Sequence, residues 1–450
     1  MFRGILYASA STIGPIILVI ISLLGIHMLM NYFEVPFFQR EILSGAILYA
    51  FVFSLIIATS IGTLLSRYIS DKIFNEEEQD IIPSLYGSIA LVTCITGLLG
   101  IPFYVFAKLP KSFSFGAYSL LMILSIVFIL MHYVSAIKEY KRITMAFLLG
   151  AVLGGIIGWI GFYILKLELI YVILYSMTIS FFFTAVYMFY IIRSFFKEDS
   201  RKYFDFLSYF KKFKLLFLSG LFYIVGLYIH NFIFWFSPIG NIVADTYRAS
   251  YTYDMASFLG MFTNLSATVI FVVKVETNFH EKYQQYCYAI MGGSLSEIKI
   301  SKRDMSRIIN NELFFITEVQ LIITLTLICG GIALLPMLGF GGVILDIYPI
   351  LALGYYAVFM MYFIIVFLYY FDDQIGAVYI SGIFLGITVL VSIITVTAGA
   401  AFYGLGLLIG GIAAWISGFL RLKILLNNLD YHMFCNIREW KVSDESYVKQ

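Results

Sequence analysis

Charge is what this sequence has least of. Only 12% of its 450 residues are Asp, Glu, Lys or Arg, against 61% hydrophobic, roughly half the charge of an ordinary soluble domain. A soluble fold of this length needs more charge to cover its surface, and a bilayer removes that need. The net charge of +2 is too small to point to nucleic acid or a polyanion. Cysteine is sparse as well. Cys94, Cys287, Cys329 and Cys435 are scattered, with no CxxC pair and no histidine at ligand spacing, so they read as packing residues and no metal is expected. There is no GxxxxGK[ST] loop, no DxD and no HExxH, which excludes a nucleotide-hydrolysing engine and the common metal-dependent transferase and protease sites. No cofactor is expected. No small-residue cleavage site follows Met1-Phe2-Arg3, so the N-terminus reads as a retained first helix.

What is there is a series of long apolar runs. A spanning helix needs about 20 mostly apolar residues, and about twelve stretches qualify. The first six are Ser11–Met30, Ile42–Ser66, Ser84–Ala107, Phe115–Ala136, Ile143–Leu165 and Leu169–Ile192. The second six are Leu215–Phe236, Met255–Val273, Glu312–Leu335, Ile350–Phe371, Ala377–Ala398 and Leu405–Leu426. The fold class expected is all-α and polytopic, with a lipid bilayer as its solvent. Placing both termini in the cytoplasm leaves only Arg40, Lys108, Lys111, Lys166 and Arg248 of the 29 basic residues outside, a bias of roughly five to one that obeys the positive-inside rule.

The charge-rich break Arg193–Lys214 divides the chain almost evenly. The expected organisation is a six-helix bundle over 1–192, a cytoplasmic linker over 193–214, a second bundle over 215–426 and a tail over 427–450. Loop lengths repeat between the halves. The second helix of each leads into a longer cytoplasmic segment (Arg67–Pro83, Lys274–Asn311), and the fourth-to-fifth connection is short in both (Ile137–Arg142, Asp372–Gly376). Such repetition is what an old duplication in a transporter leaves. Small-xxx-small spacing at Gly150, Gly154, Gly158 and at Gly406, Gly410 marks close helix approach.

Polar groups within apolar helices are costly and tend to line a cavity. Tyr228, Asn231 and Trp235 share one face of the seventh helix, with His230 beside it, and an aromatic-plus-amide stripe suits a sugar ring or an ordinary helix contact. Thr317, Gln320 and Thr324 form a polar stripe on the ninth helix, with Glu318 about 100° around from Thr317. Asp254 opens the eighth helix as a cap or a substrate contact. Lys274 and Glu276 at its other end are two apart and cannot pair along the helix. Asp372-Asp373 closes the tenth helix against the helix dipole, in a loop with no basic residue. Basic residues read as almost absent from the interior, which fits a neutral or cationic cargo better than a lipid-pyrophosphate sugar needing Arg or Lys.

At these residues the chain resembles the PelG family, the inner-membrane component of Pel exopolysaccharide export. The match runs from Tyr253-Asp254 into Val275-Glu276-Thr277-Asn278-Phe279 and on to Tyr283, Gly292 and Arg303. Further matches are Ser66-Arg67-Tyr68-Ile69-Ser70-Asp71, Phe234-Trp235 and Leu368-Tyr369-Tyr370-Phe371-Asp372-Asp373, together spanning about Gly14 to Arg421. The chain departs from the family pattern in a shortened N-terminal lead-in, and in His230-Asn231, where the pattern has Asp-Lys. The resemblance implies the fold of the multidrug, oligosaccharide-lipid and polysaccharide exporters, two six-helix bundles around a central cleft. It also implies export across the cytoplasmic (inner) membrane of an N-acetylgalactosamine-rich, partly deacetylated polysaccharide. The partners implied are a cytosolic glycosyltransferase and other membrane subunits of a Pel-type synthase complex. Two other readings remain: a cation-coupled, multidrug-type antiporter using Glu318 or Asp254, and a membrane-embedded transferase, for which Glu34, Asp245 and Asp346 are the nearby acids.

Overall fold

The computed structural model describes residues 25–26, 29–30, 32–137, 140–197, 199–338 and 340–433. Among the described residues, 11 helices are long and apolar enough to cross a membrane, and each covers one of the apolar stretches expected from the sequence to within a residue at its end. The remaining stretch, Ser11–Met30, falls mostly outside the described residues. The protein is an all-α, multi-pass membrane protein.

In chain order the helices are α1 (Phe37–Phe74), α2 (Ile81–Phe106), α3 (Lys111–Ile137), α4 (Tyr140–Trp159), α5 (Leu169–Phe195), the short α6 (Leu207–Lys212) and α7 (Lys214–Trp235). A hairpin of β1 (Asn241–Val243) and β2 (Tyr247–Ala249) follows. Then come α8 (Tyr251–Thr263), α9 (Leu265–Lys274), α10 (His280–Gly292), α11 (Leu295–Leu334), α12 (Val343–Tyr370), α13 (Gln374–Ala398) and α14 (Leu405–Asn427). Two π-helical turns, Ile160–Ile164 and Val275–Phe279, extend α4 and link α9 to α10.

Two helices outrun the bilayer. α1 has 38 residues and α11 has 40, which at about 1.5 Å per residue is roughly twice the hydrocarbon thickness. The segments Arg67–Phe74 and Leu295–Asn311, expected as connections, are therefore helical extensions. Ser294 starts α11 with a capping box: its hydroxyl accepts the Glu297 N–H while the Glu297 carboxylate accepts the Ser294 N–H at 2.7 Å.

Contacts group the chain into two compact units, Met1–Asp254 and Met255–Gln450, with the boundary inside α8. It falls beyond the 193–214 break because α7 packs on α1: Gly220 sits against Thr63, and Phe232 stacks on Phe53 at 5.9 Å.

The small residues singled out in the sequence lie at close helix contacts. Along α4, Gly150, Gly154 and Gly158 face Thr184, Ser180 and Ser176 of α5. In the second unit the roles are exchanged, with Gly406 and Gly410 of α14 facing Ser392 and Thr388 of α13. A Cβ on Gly406 would also come within 2.9 Å of the Ser392 backbone nitrogen, which no side-chain rotation relieves.

The turn before α13 carries the other tie. Asp373 is 3% exposed and its Oδ1 accepts the Gly376 N–H, capping α13. The same carboxylate takes both arms of the Arg421 guanidinium from α14, at 2.7 and 2.9 Å. Burial pushes this carboxyl up, but Arg421 and the Gly376 N–H outweigh it and hold it below its usual range.

Gly406→Val is expected to lower stability by about 1–3 kcal/mol through overpacking, read as a lower melting midpoint in detergent. Gly386→Ala, where an added Cβ meets nothing within 4 Å, leaves the midpoint unchanged or raises it. For Asp373 the folded value is depressed, so its stabilisation is complete above the ordinary aspartate value of about 3.9 and is lost as pH falls through the folded value. The melting difference between the protein and its Asp373→Asn variant should hold near neutrality and shrink in acid; a gap indifferent to pH would refute this role.

Candidate functional site

The polar candidates fall into separate clusters, one in each unit and one at the π turn. In the first unit, Asp254 is the centre. Asn231 Nδ2 donates to its Oδ1 at 2.8 Å, Trp235 Nε1 lies 2.9 Å from both oxygens, and the Ser250 N–H reaches Oδ2 at 2.9 Å. Helical spacing explains the convergence, since Asn231 and Trp235 are four apart and share a face of α7. Asp254 sits in the first turn of α8, where a carboxylate is favoured by the helix dipole. It is thus both the backbone cap and the partner of the α7 stripe.

Aromatic packing encloses this carboxylate. The Trp235 indole stacks on Tyr49 of α1 with centroids 5.0 Å apart and 8° between planes. Tyr49 in turn clasps the β-hairpin, donating to the Arg248 carbonyl and accepting its N–H, both at 2.9 Å. The hairpin turns through Ala244 and Asp245, with φ of 51° and 49°, and lays Tyr247 over Gly45 of α1, whose missing side chain makes room. The neighbouring His230 is fully buried, its Nδ1 2.9 Å from the Tyr253 hydroxyl, while Phe234 stacks on the Tyr253 ring at 3.8 Å. Asn231 and Trp235 are buried too, at 7% and 3%. The α7 stripe is therefore an internal clasp rather than an open surface; only Tyr228, half-buried, stands apart from it.

The second unit holds a closed amide network at the break between α8 and α9. Asn264 interrupts the helix there and donates to the Gly260 and Ala352 carbonyls at 3.1 and 2.8 Å. Its Oδ1 accepts from Thr324 at 2.8 Å and from Gln320 Nε2 at 3.3 Å, and Ser266 donates to Gln320 Oε1 at 2.9 Å. Gln320 and Thr324 are 0% exposed. Thr317 is set apart, half-buried beside an apolar groove of about 280 Å³ lined by Phe314, Met360 and Trp415, with Met360 Sδ 3.5 Å from its hydroxyl. Glu318 joins neither group. It is exposed, on the face of α11 that carries Phe314, Leu321, Ile322 and Leu325, away from the buried row Ile316, Gln320, Thr324 and Ile328.

At the π turn, Lys274 and Asn278 converge on Glu312 of α11, at 3.3 and 2.6 Å, so the lysine finds its partner off its own helix. The side chain of Glu276 lies outside the described residues. Asp372 has φ 56° and accepts from Gln374 Nε2 at 3.0 Å; the buried acid of that pair is Asp373. The basic residue missing from this loop is supplied by Arg421 from α14. In the extension of α1 beyond the bilayer, Lys72 is only 8% exposed, held by Asp80 at 2.7 Å and Glu77 at 2.6 Å. Tyr49, Asn264, Lys72 and Arg421 were not singled out from the sequence; an amide inside an apolar window was the one available signal, at Asn264.

Asp254→Ala strands the buried donors of Asn231 and Trp235 and should cost about 2–5 kcal/mol, more than Trp235→Phe, which keeps the stacking and loses one hydrogen bond. Melting midpoints of the two purified variants test the order; equal losses would mean that packing, and not the carboxylate, holds this corner.

Among solved structures the chain is similar to an outward-facing multidrug resistance MATE family transporter of the MOP superfamily, with 12% identity, 95% of this chain and 96% of that chain covered, and a TM-score of 0.64. A MOP superfamily transporter from Pyrococcus furiosus, described as having a binding pocket of reverse polarity, gives 13% identity, the same coverages and 0.61. An inward-facing multidrug resistance MATE family transporter gives 13%, 88% and 92% coverage, and 0.53. At identities this low the likeness is one of fold and says nothing about cargo. No curated protein matches the chain. The model of one family, PelG, described as "Putative exopolysaccharide Exporter (EPS-E)", matches residues 1–434, and the chain belongs to that family.

Proposed function

We propose that this protein exports a nascent exopolysaccharide across the cytoplasmic membrane. The observation that carries the reading is the family match over 1–434, on a fold shared with transporters. The specific cargo proposed is Pel-like, rich in N-acetylgalactosamine and partly deacetylated. Its supply would come from a cytosolic glycosyltransferase acting with other membrane subunits of a Pel-type complex. The two segments 1–192 and 215–426 are taken as six-helix repeats joined by 193–214, a division supported by the reciprocal glycine contacts of α4–α5 and α13–α14. Both termini are placed in the cytoplasm on the bias of basic residues.

The internal hydrogen bonds bear on how such a path would be built. Asn231 and Trp235 donate to Asp254, which also takes the Ser250 N–H, while Gln320 and Thr324 bond each other and Asn264, and Gln320 accepts from Ser266. They hold helix positions, and contact with sugar falls to half-buried groups such as Tyr228 and Thr317. A polymer longer than the bilayer is thick cannot be enclosed in a closed cavity, which favours a continuous path driven by polymerisation over repeated rocking of two halves.

The small-molecule antiporter reading rests on the fold likeness to multidrug transporters. The deciding experiment follows amino-sugar polymer in cells that keep the rest of the pathway and lack this protein. Polymer is expected to accumulate inside, or its synthesis to stall, with secretion restored by the intact gene. Unimpaired secretion would refute export and turn attention to ion-driven efflux by the isolated protein in liposomes.

A further inference from the structure

The segment joining α5 to α7 is amphipathic without being a long helix. Its inner side is fixed to the first unit. Phe196, Phe206 and Phe213 are 2%, 1% and 4% exposed. The Tyr203 carbonyl lies directly on α2 at Gly87, where any Cβ would collide with it. The one acid within 201–214, Asp205, is drawn in: it lies 3.4 Å from both the Tyr68 hydroxyl and Lys72 Nζ. Asp199, upstream and exposed, pairs with Arg193. Asp80, 0% exposed at the start of α2, draws in Lys202 at 3.1 Å.

Its outer side has the opposite character. Tyr203, Phe204 and Leu207 are 46%, 54% and 38% exposed, and Arg201, Lys211, Lys212 and Lys214 are exposed with them. Connectivity sets the depth. The segment begins where the membrane-crossing α5 ends, and α6 finishes one residue before α7 enters the membrane. Exposed rings and bases at that level match the two components of a phospholipid surface: an acyl boundary that takes aromatic and aliphatic groups, and phosphates that take Lys and Arg.

We propose that residues 201–214 form an interfacial platform for anionic phospholipid, with Tyr203, Phe204 and Leu207 set into the acyl boundary and Arg201, Lys211, Lys212 and Lys214 on headgroup phosphates. Asp205, the one acid of 201–214, is engaged by Tyr68 and Lys72, so the outward charge of these residues is positive. The role is separate from cargo transport and does not depend on the polymer reading.

The full chain, with its native cysteines replaced by alanine, is reconstituted in phosphatidylcholine vesicles with or without phosphatidylglycerol. A nitroxide is placed singly through Arg201→Cys, Phe204→Cys or Leu207→Cys, and its collisions with oxygen and with a water-soluble nickel chelate are compared. Labels at 204 and 207 should meet oxygen and not nickel, and the label at 201 the reverse. In a second measurement on the unlabelled protein, each of Arg201→Gln, Lys211→Gln and Lys212→Gln should lower phosphatidylglycerol retention by about fivefold, with phosphatidylcholine retention unchanged. Labels at 204 and 207 open to nickel, or shielded from both probes as under a protein partner, would overturn the proposal. So would retention of anionic lipid that ignores the three charges.

Discussion

In hydrocarbon a polar atom without a partner costs several kcal/mol, and no water is at hand to supply one. Asp254 shows how an interior polar group of this protein answers to that constraint. One carboxylate on α8 takes three donors, two from α7 and one from the loop after the β-hairpin, and in doing so fixes α7, the end of the β-hairpin and the start of α8 in one arrangement. Asn264 does the equivalent in the second unit, where a broken helix would leave backbone groups open unless the amide and its neighbours closed the account.

The same pressure explains the glycine contacts. Lipid tails are as apolar as leucine, so helices gain little from merely touching, and association depends on close approach. Ser and Thr opposite Gly let backbones come near, and on α5 the Thr184 hydroxyl also bonds back to the Ser180 carbonyl at 3.0 Å. Exchanging which helix carries the glycine, as α4–α5 and α13–α14 do, keeps the geometry with different sequence.

Hydropathy made the membrane-crossing helices legible because their composition is set by the solvent around them, residue by residue. It was blind to the first half of α11, where Lys299, Lys302, Arg303 and Arg307 have no hydrocarbon to match and so read as a connection. The site was legible only where partners lie on one helix: Asn231 with Trp235, and Gln320 with Thr324. Partners distant in sequence, such as Arg421 for Asp373 or Tyr49 for Trp235, leave no periodic trace. Helical spacing set Glu318 about 100° around from Thr317, but polarity alone did not say which of the two faces is buried; Glu318 lies on the exposed one.

The length of α11 has a mechanical consequence. Its segment Leu295–Asn311 continues the membrane-crossing part as uninterrupted helix for roughly 25 Å, and a straight helix carries rotation without absorbing it. A tilt of about 10° at the bilayer would sweep the Ser294 end through roughly 4 Å. Motion too small to disturb packing inside the membrane is thereby magnified at the tip of a lever, on the side where anything touching it would feel the change.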